Sequence, residues 1–197
     1  MTLAFGSVKF HLELNRPKDF PMRRAPTSPS RVDPEREAAL ADLDPLTVTK
    51  LWDNPCWLSF RLNFVAFRFN DPVYRWIETR YGLVRPEFVA LYAVGLKEGV
   101  AAKNIVASSG LPKNTLSRAV QKLLQRRLLK RETDPTDLRS YVLHLTPAGR
   151  NIFDETMVPM VQHQATMLAG LSEEEQRQLC ALMDKLVIAS PTWPQEF

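Results

Sequence analysis

Only two cysteines, three histidines and seven glycines occur among 197 residues, and each scarcity removes a class of function. Cys56 and Cys180 cannot build a disulfide framework or a four-ligand zinc site, so a reducing cytoplasm is the expected setting. His11, His144 and His163 fall in three separate segments with no metal-spaced His/Cys cluster around them, and neither metals nor cofactors are expected. With so few glycines there is little material for a phosphate-cradling loop, and no G-x-S-x-G turn is present. An enzyme is therefore not expected. No uninterrupted apolar run approaches the ~18–20 residues of a membrane helix. A secretory leader is not expected either, because Lys9 and His11 interrupt the only mildly apolar stretch near the start. What is left is ordinary for a soluble globular chain: 45% hydrophobic residues and a mean hydropathy of −0.23, enough for one domain with or without an appendage.

Acidic residues are missing from one place in particular. The net charge of +4, from 26 basic and 22 acidic residues, is modest. From Ala101 to Arg131, however, the chain holds eight basic residues and no acidic one: Lys103, Lys113, Arg118, Lys122, Arg126, Arg127, Lys130 and Arg131. A charge run is usually a solvated surface; it speaks for an anionic partner only when it folds onto one face.

The pattern along the chain supplies that face. Val8, Phe10, Leu12 and Leu14 alternate with polar residues as in a half-buried strand, and the proline-broken stretch Arg16 to Ser30 reads as a linker. Such a strand must dock on the body, pair with another chain, or stay disordered. Asp33 is a candidate cap for a short helix ending near Leu43. Asn54-Pro55 opens a long helix reaching about Tyr81, which Asp71-Pro72 should kink or restart. Arg85-Pro86 opens another, with Phe88, Leu91, Tyr92 and Leu96 on its apolar face. Residues Ala102 to Ser108 make a short helix ended by Gly110. In the helix that follows Leu111-Pro112, Leu116, Val120, Leu123 and Leu124 point inward. Asn114, Ser117, Arg118, Gln121 and Gln125 share the opposite face. Amide and guanidinium side chains without a carboxylate match the donors and acceptors on base edges in the DNA major groove. Leu128 to Thr133 and Ser140 to Leu145 read as strands around the turn Asp134-Pro135-Thr136-Asp137. Thr146-Pro147 caps a helix that contains Pro159, and Ser172-Glu173-Glu174-Glu175 is a capping box for a last one. Leu179, Leu182, Met183, Leu186 and Val187 form its apolar stripe, with Cys180 expected in core packing. A helix-turn-helix followed by a β-hairpin is a winged helix, and the expected class is mainly α with a small β-wing (α+β). A winged helix used only for protein contact is disfavoured by the uncompensated cationic face.

The stretch Leu111 to Arg131, the wing sequence Asp134-Pro-Thr-Asp-Leu-Arg139-Ser140, the segment Leu143-His-Leu-Thr146-Pro-Ala-Gly149-Arg150 and Leu171-Ser-Glu-Glu-Glu175 together resemble the multiple-antibiotic-resistance regulator (MarR) family of winged-helix transcription factors. The likeness runs from about Pro55 to Ser190. It implies a homodimer whose N- and C-terminal helices interlock and whose two lobes read a pseudo-palindrome in double-stranded operator DNA. Carried over by position, Lys113, Asn114, Thr115, Ser117, Arg118, Gln121, Lys122, Arg139 and Ser140 would contact DNA. Asp134 would support the wing, and Asp137 would hold Arg139. The family usually has glycine where Arg127 stands, which implies a left-handed backbone there, and often arginine where Leu138 stands. The implied organisation is an N-terminal extension (residues 1–34), dimerisation and ligand helices (35–82), the winged helix-turn-helix (83–150), C-terminal dimerisation helices (151–190) and a tail (191–197).

The resemblance also implies a repressor released by a small aromatic acid or phenol. Trp57, Arg61, Phe64 and Arg68 fall on one helical face, with Phe60 and Phe67 beside them. Rings to stack and guanidinium groups to pair suit a planar anion. Asn63, Trp76 and His163 are further lining candidates. The same stripe equally suits a core or a dimer interface, its arginines snorkelling or pairing across it. The alternative signal is oxidation, since Cys56 falls in the first turn of its helix, where the dipole favours thiolate.

Overall fold

The computed structural model describes residue 38, residues 40–194 and residue 196. The expected strand at Val8 to Leu14, the linker and the Asp33 cap lie outside the described residues. The chain divides into two compact units, Met1–Leu62 and Asn63–Phe197.

In the first unit a single helical turn, Pro45–Val48, is capped by Asp44, and the π-helical turn Thr49–Asp53 follows it. The Asn54 side chain accepts the Cys56 amide at 2.8 Å and closes a turn ahead of the next helix, which starts at Trp57, two residues later than Asn54-Pro55 predicts. Helix α1, Trp57–Tyr81, then runs on across the unit boundary without restarting at Pro72. Proline removes one donor from the ladder, and the rest of this 25-residue helix carries it through. Cys56 itself lies in the turn before α1, not in its first turn, and is exposed.

The second unit continues with α2 (Arg85–Leu96), α3 (Ala102–Ser109), α4 (Lys113–Gln125), strands β1 (Leu129–Asp134) and β2 (Asp137–Leu145), α5 (Pro147–Leu168) and α6 (Glu173–Ala189). Its core gathers Ile77, Leu83, Phe88, Leu91, Ile105 and Leu116 with Leu123, Leu129 and Leu145. Full burial of one such leucine is worth roughly 1.5–3 kcal/mol. Leu96, expected on the buried face of α2, is exposed; Ala90 and Val94 are buried instead, because α2 is covered on more than one side. Gly110 ends α3 in the left-handed conformation at φ 65° and turns the chain into α4.

Antiparallel pairing of β1 and β2 runs from Leu129 opposite Leu145 to Thr133 opposite Tyr141, with an irregularity before Asp134. An isolated bridge from Val100 to Leu143 adds a third contact that alternation alone did not reveal. Arg127 has φ 55°, as its place at a usual glycine position implied. Thr146 secures this bend: its hydroxyl donates to the Arg127 carbonyl at 2.7 Å and accepts the Gly149 amide at 3.1 Å. The Ser172–Glu175 capping box is present on α6.

Among the described residues the apolar stripe of α6 is only partly covered, with Met183 and Leu186 half-buried. Leu182, Val187 and Ile188 are all more than half exposed, and Cys180, expected in core packing, is exposed with them. No helix among the described residues is long and apolar enough to cross a membrane.

Gly149 explains the glycine of the segment after the wing. A Cβ there would lie 2.1 Å from the Leu128 carbonyl oxygen, a backbone atom with little freedom to move. Gly149→Ala is expected to lower the free energy of unfolding by about 1–3 kcal/mol, the usual range for forced overpacking, as read from urea denaturation.

Candidate nucleic-acid interface and effector cavity

Four inward side chains orient α4. Leu116, Ala119, Val120 and Leu123 are buried, which turns the opposite arc of the helix to solvent. Lys113, Asn114, Ser117, Arg118 and Gln121 are exposed there, while Thr115 is half-buried. Lys113 and Arg118 have no ion-pair partner among the described residues. Lys122 does: its ammonium reaches the buried Glu87 carboxylate at 3.1 Å, although its side chain is largely exposed. The same Glu87 accepts the Val84 amide at the start of α2, at 3.4 Å.

The wing is built by its two aspartates. Asp134 accepts the Thr136 hydroxyl at 2.7 Å and amide at 2.8 Å. Asp137 accepts the Ser140 hydroxyl at 2.6 Å and the Arg139 amide at 3.1 Å. Asp137 thus holds Arg139 by its main chain and not by its guanidinium, which stays exposed with no ion-pair partner among the described residues. Leu138, at the tip, is 81% exposed. A crevice of about 510 Å³ opens between the start of α3 and the wing. Arg139 and Ser140 line it, together with Lys103 and Arg131, two cations that motif matching did not single out.

The two wing carboxyls sit below the usual carboxylate range. The Thr136 hydroxyl and amide stabilise the charged form of Asp134, and the Ser140 hydroxyl and Arg139 amide that of Asp137.

Of the effector candidates, Trp57, Phe60 and Arg61 belong to the first unit. The Arg61 guanidinium stands over the rings of Trp52 and Trp57, 5.1 and 4.9 Å from their centres, and its Nε donates to the Leu51 carbonyl at 2.7 Å. Phe60 is exposed. In the second unit Arg68 stands over Phe64 at 5.1 Å, Phe67 is 60% exposed, and Asn63 is exposed.

Trp76 and His163 are the two candidates that come together. They line a cavity of about 150 Å³ between α1 and α5, with Pro72, Val73, Pro159 and Met160. The His163 ring stacks on Phe69 at 5.0 Å. Its Nε2 is buried and has no hydrogen-bond partner among the described residues. The two prolines stood out in the sequence only as expected kinks, and nothing marked them or Met160 as cavity lining, since the cavity depends on which turns of two distant helices meet.

A sequence profile of the MarR family matches residues 81–140, from the end of α1 through most of the wing. The HTH-type transcriptional regulator BilQ of Clostridium symbiosum is 30% identical over 93 residues, which are 47% of this chain and 65% of BilQ, just under two thirds of its length. A MarR-family transcriptional regulator from Silicibacter pomeroyi superposes with a TM-score of 0.61 at 26% identity, covering 72% of this chain and 93% of that one. A structure of Bordetella bronchiseptica BpsR, described as explaining regulation of its DNA binding by 6-hydroxynicotinic acid, has a TM-score of 0.54 at 25% identity. The match covers 66% of this chain and 91% of BpsR.

A depressed carboxylate pKa stabilises the folded form above the ordinary value and loses that contribution as pH falls through the folded one. The turn at Asp134–Asp137 should therefore keep its amide protection at neutral pH and lose it only below about pH 4. Replacing both aspartates by asparagine should remove that acid-dependent step; hydrogen exchange of the Thr136 and Arg139 amides reads it directly.

Proposed function

We propose that the chain is a MarR-type transcriptional regulator: a repressor that binds a pseudo-palindromic duplex as a homodimer and lets go when a single-ring aromatic acid or phenol binds. The observation that carries the DNA reading is the exposed arc of α4: cationic and amide side chains on one side, a packed hydrophobic seam on the other, and no carboxylate between Lys113 and Gln125. Asn114, Ser117, Arg118 and Gln121 are the proposed readers of base edges. Lys113, Thr115, Arg139 and Ser140 are proposed backbone contacts, joined by Lys103 and Arg131 from the crevice. Lys122 holds a lesser place in the set, because Glu87 already neutralises it.

Dimerisation is supported by the open apolar surface of α6, a continuous stripe rather than scattered residues. Two recognition helices one duplex turn apart give half-sites about 10 bp apart, centre to centre.

The effector reading now rests on the α1–α5 cavity. An apolar space near 150 Å³ accepts one benzene-sized ring. Trp76 offers a face or edge to it, and the Nε2 of His163, without a partner among the described residues, offers a directional contact to a phenolic or carboxylic oxygen. BpsR, whose DNA binding is regulated by a hydroxylated heteroaromatic acid, supports the chemical class. The oxidation alternative has only the exposure of Cys56 in its favour.

Two measurements test this. Affinity for a duplex enriched by the protein from a randomised pool should fall steeply with salt, with Arg118→Ala flattening the preference at one base position at a cost of about 1–3 kcal/mol. Unaltered sequence preference in Arg118→Ala would remove it from the readers. Separately, a thermal-shift series of hydroxybenzoates and phenols should produce a stabilising compound whose shift is lost in His163→Leu. A shift that survives in His163→Leu but disappears in Arg61→Ala would return the site to the first unit.

A further inference from the structure

We propose that Arg126 is a positioning residue that ties the recognition helix and the wing to the C-terminus of α1, so that an occupant of the Trp76–His163 cavity displaces both together. This rests on the reading of the chain as a DNA-binding regulator with its effector in that cavity.

Arg126 follows the last residue of α4, and its side chain does not join the outward cationic face. Its two terminal nitrogens donate to consecutive carbonyls at the end of α1, Tyr81 at 2.6 Å and Gly82 at 2.9 Å. A planar guanidinium fork suits that pair, and a cation suits the negative end of a long helix. Glu87 adds a second hold on the same end of α4. Its buried carboxylate pairs with Lys122 at 3.1 Å and approaches Arg126 at 3.8 Å. The next residue, Arg127, is the one that bends with positive φ toward β1. Whatever moves the Arg126 guanidinium therefore moves the root of the wing as well as the tail of α4.

The other side of the junction leads to the cavity. The Tyr81 hydroxyl donates to Glu155 of α5 at 2.7 Å, and Arg80 reaches the same oxygen at 3.2 Å. The Tyr81 ring meets the Trp76 ring edge-on, with centres 5.8 Å apart and planes at 87°. Trp76 is a cavity wall. One tyrosine thus touches the cavity wall with its ring, α5 with its hydroxyl and the recognition helix with its carbonyl. A ring inserted beside Trp76 bears on Tyr81, and the most direct exit for that displacement is the pair of carbonyls that Arg126 holds.

Filling the cavity by mutation tests this without any effector. Wild type, Met160→Trp, Arg126→Gln and the double variant are compared for affinity to the duplex that wild type enriches from a randomised pool, at one salt concentration, with melting temperatures recorded to show that each folds. Arg126→Gln leaves the buried face of α4 untouched; Arg126→Lys and Met160→Phe are the milder substitutes should either variant fail to fold. Both single variants are expected to weaken binding within the five- to 150-fold range typical of allosteric coupling, about that of a two-state shift, and the double variant to be no weaker than the weaker single. A double variant whose losses multiply overturns the proposal, because cavity and clamp would then act independently. So does a Met160→Trp protein that binds like wild type. Failure of the wild-type protein to enrich any duplex overturns the DNA-binding reading itself, and this inference with it.

Discussion

The seam of Leu116, Ala119, Val120 and Leu123 under α4 is the constraint on which the rest of the structure depends. A helix can present one arc to a partner only if the opposite arc is anchored, and these four side chains sink into a core that also contains Ile105, Leu91 and Leu143. Each fully buried leucine contributes roughly 1.5–3 kcal/mol, so rotating α4 about its axis would forfeit far more than any surface contact could return. The chemistry of the exposed arc is free to be cationic and amide-rich because it carries none of the stability. What can change cheaply is the tilt of the whole helix, and tilt is governed at its ends.

Charges around the helix are distributed to the same effect. The carboxylates in reach are already engaged: Glu87 by Lys122 and the α2 amide, Glu98 by Arg150 and His144, Asp134 and Asp137 by their own turn. None of them neutralises Lys113, Arg118 or Arg139. These three cations thus keep charge that no described carboxylate pairs with, which favours an anionic partner and a salt-dependent affinity for it.

Signals carried by neighbouring residues were legible in the sequence. Thr146 and the Ser172–Glu175 pair cap where their local chemistry says they should, and Gly110 and Arg127 adopt positive φ at the two bends of the winged helix. The wing aspartates were legible as turn formers, although the partner of Asp137 proved to be the Arg139 amide and not its side chain. Features set by distant packing were not legible. Pro72 looked like a break and is carried by the helix on either side. Leu96 and Cys180 looked buried and are exposed, because periodicity names an apolar face without saying whether another element covers it. The aromatic stripe of α1 shows the same limit. Arg61 and Arg68 share a helical face, yet each is taken up by rings within its own segment, while Trp76 and His163, from two helices distant in sequence, line one cavity.

A cavity the size of one ring also limits how the protein can respond. A ligand shifts an equilibrium only by the difference between its affinities for the two states. Few non-hydrogen atoms fit near 150 Å³, and even the best small ligands contribute at most about 1.5 kcal/mol per atom, of which only the part that differs between the two states counts. Under the proposed function, the states that bind and release DNA must then lie close in energy before any ligand arrives. A junction of packed hydrocarbon would be too stiff for that. The Arg126 fork is half-exposed, and when it lets go water can replace the Tyr81 and Gly82 carbonyls as partners, so it separates at the small net cost of exchanged hydrogen bonds. A rigid seam beneath the helix and an exchangeable contact at its end together leave one soft degree of freedom, the tilt of α4, and it is the motion that the proposed release of DNA requires.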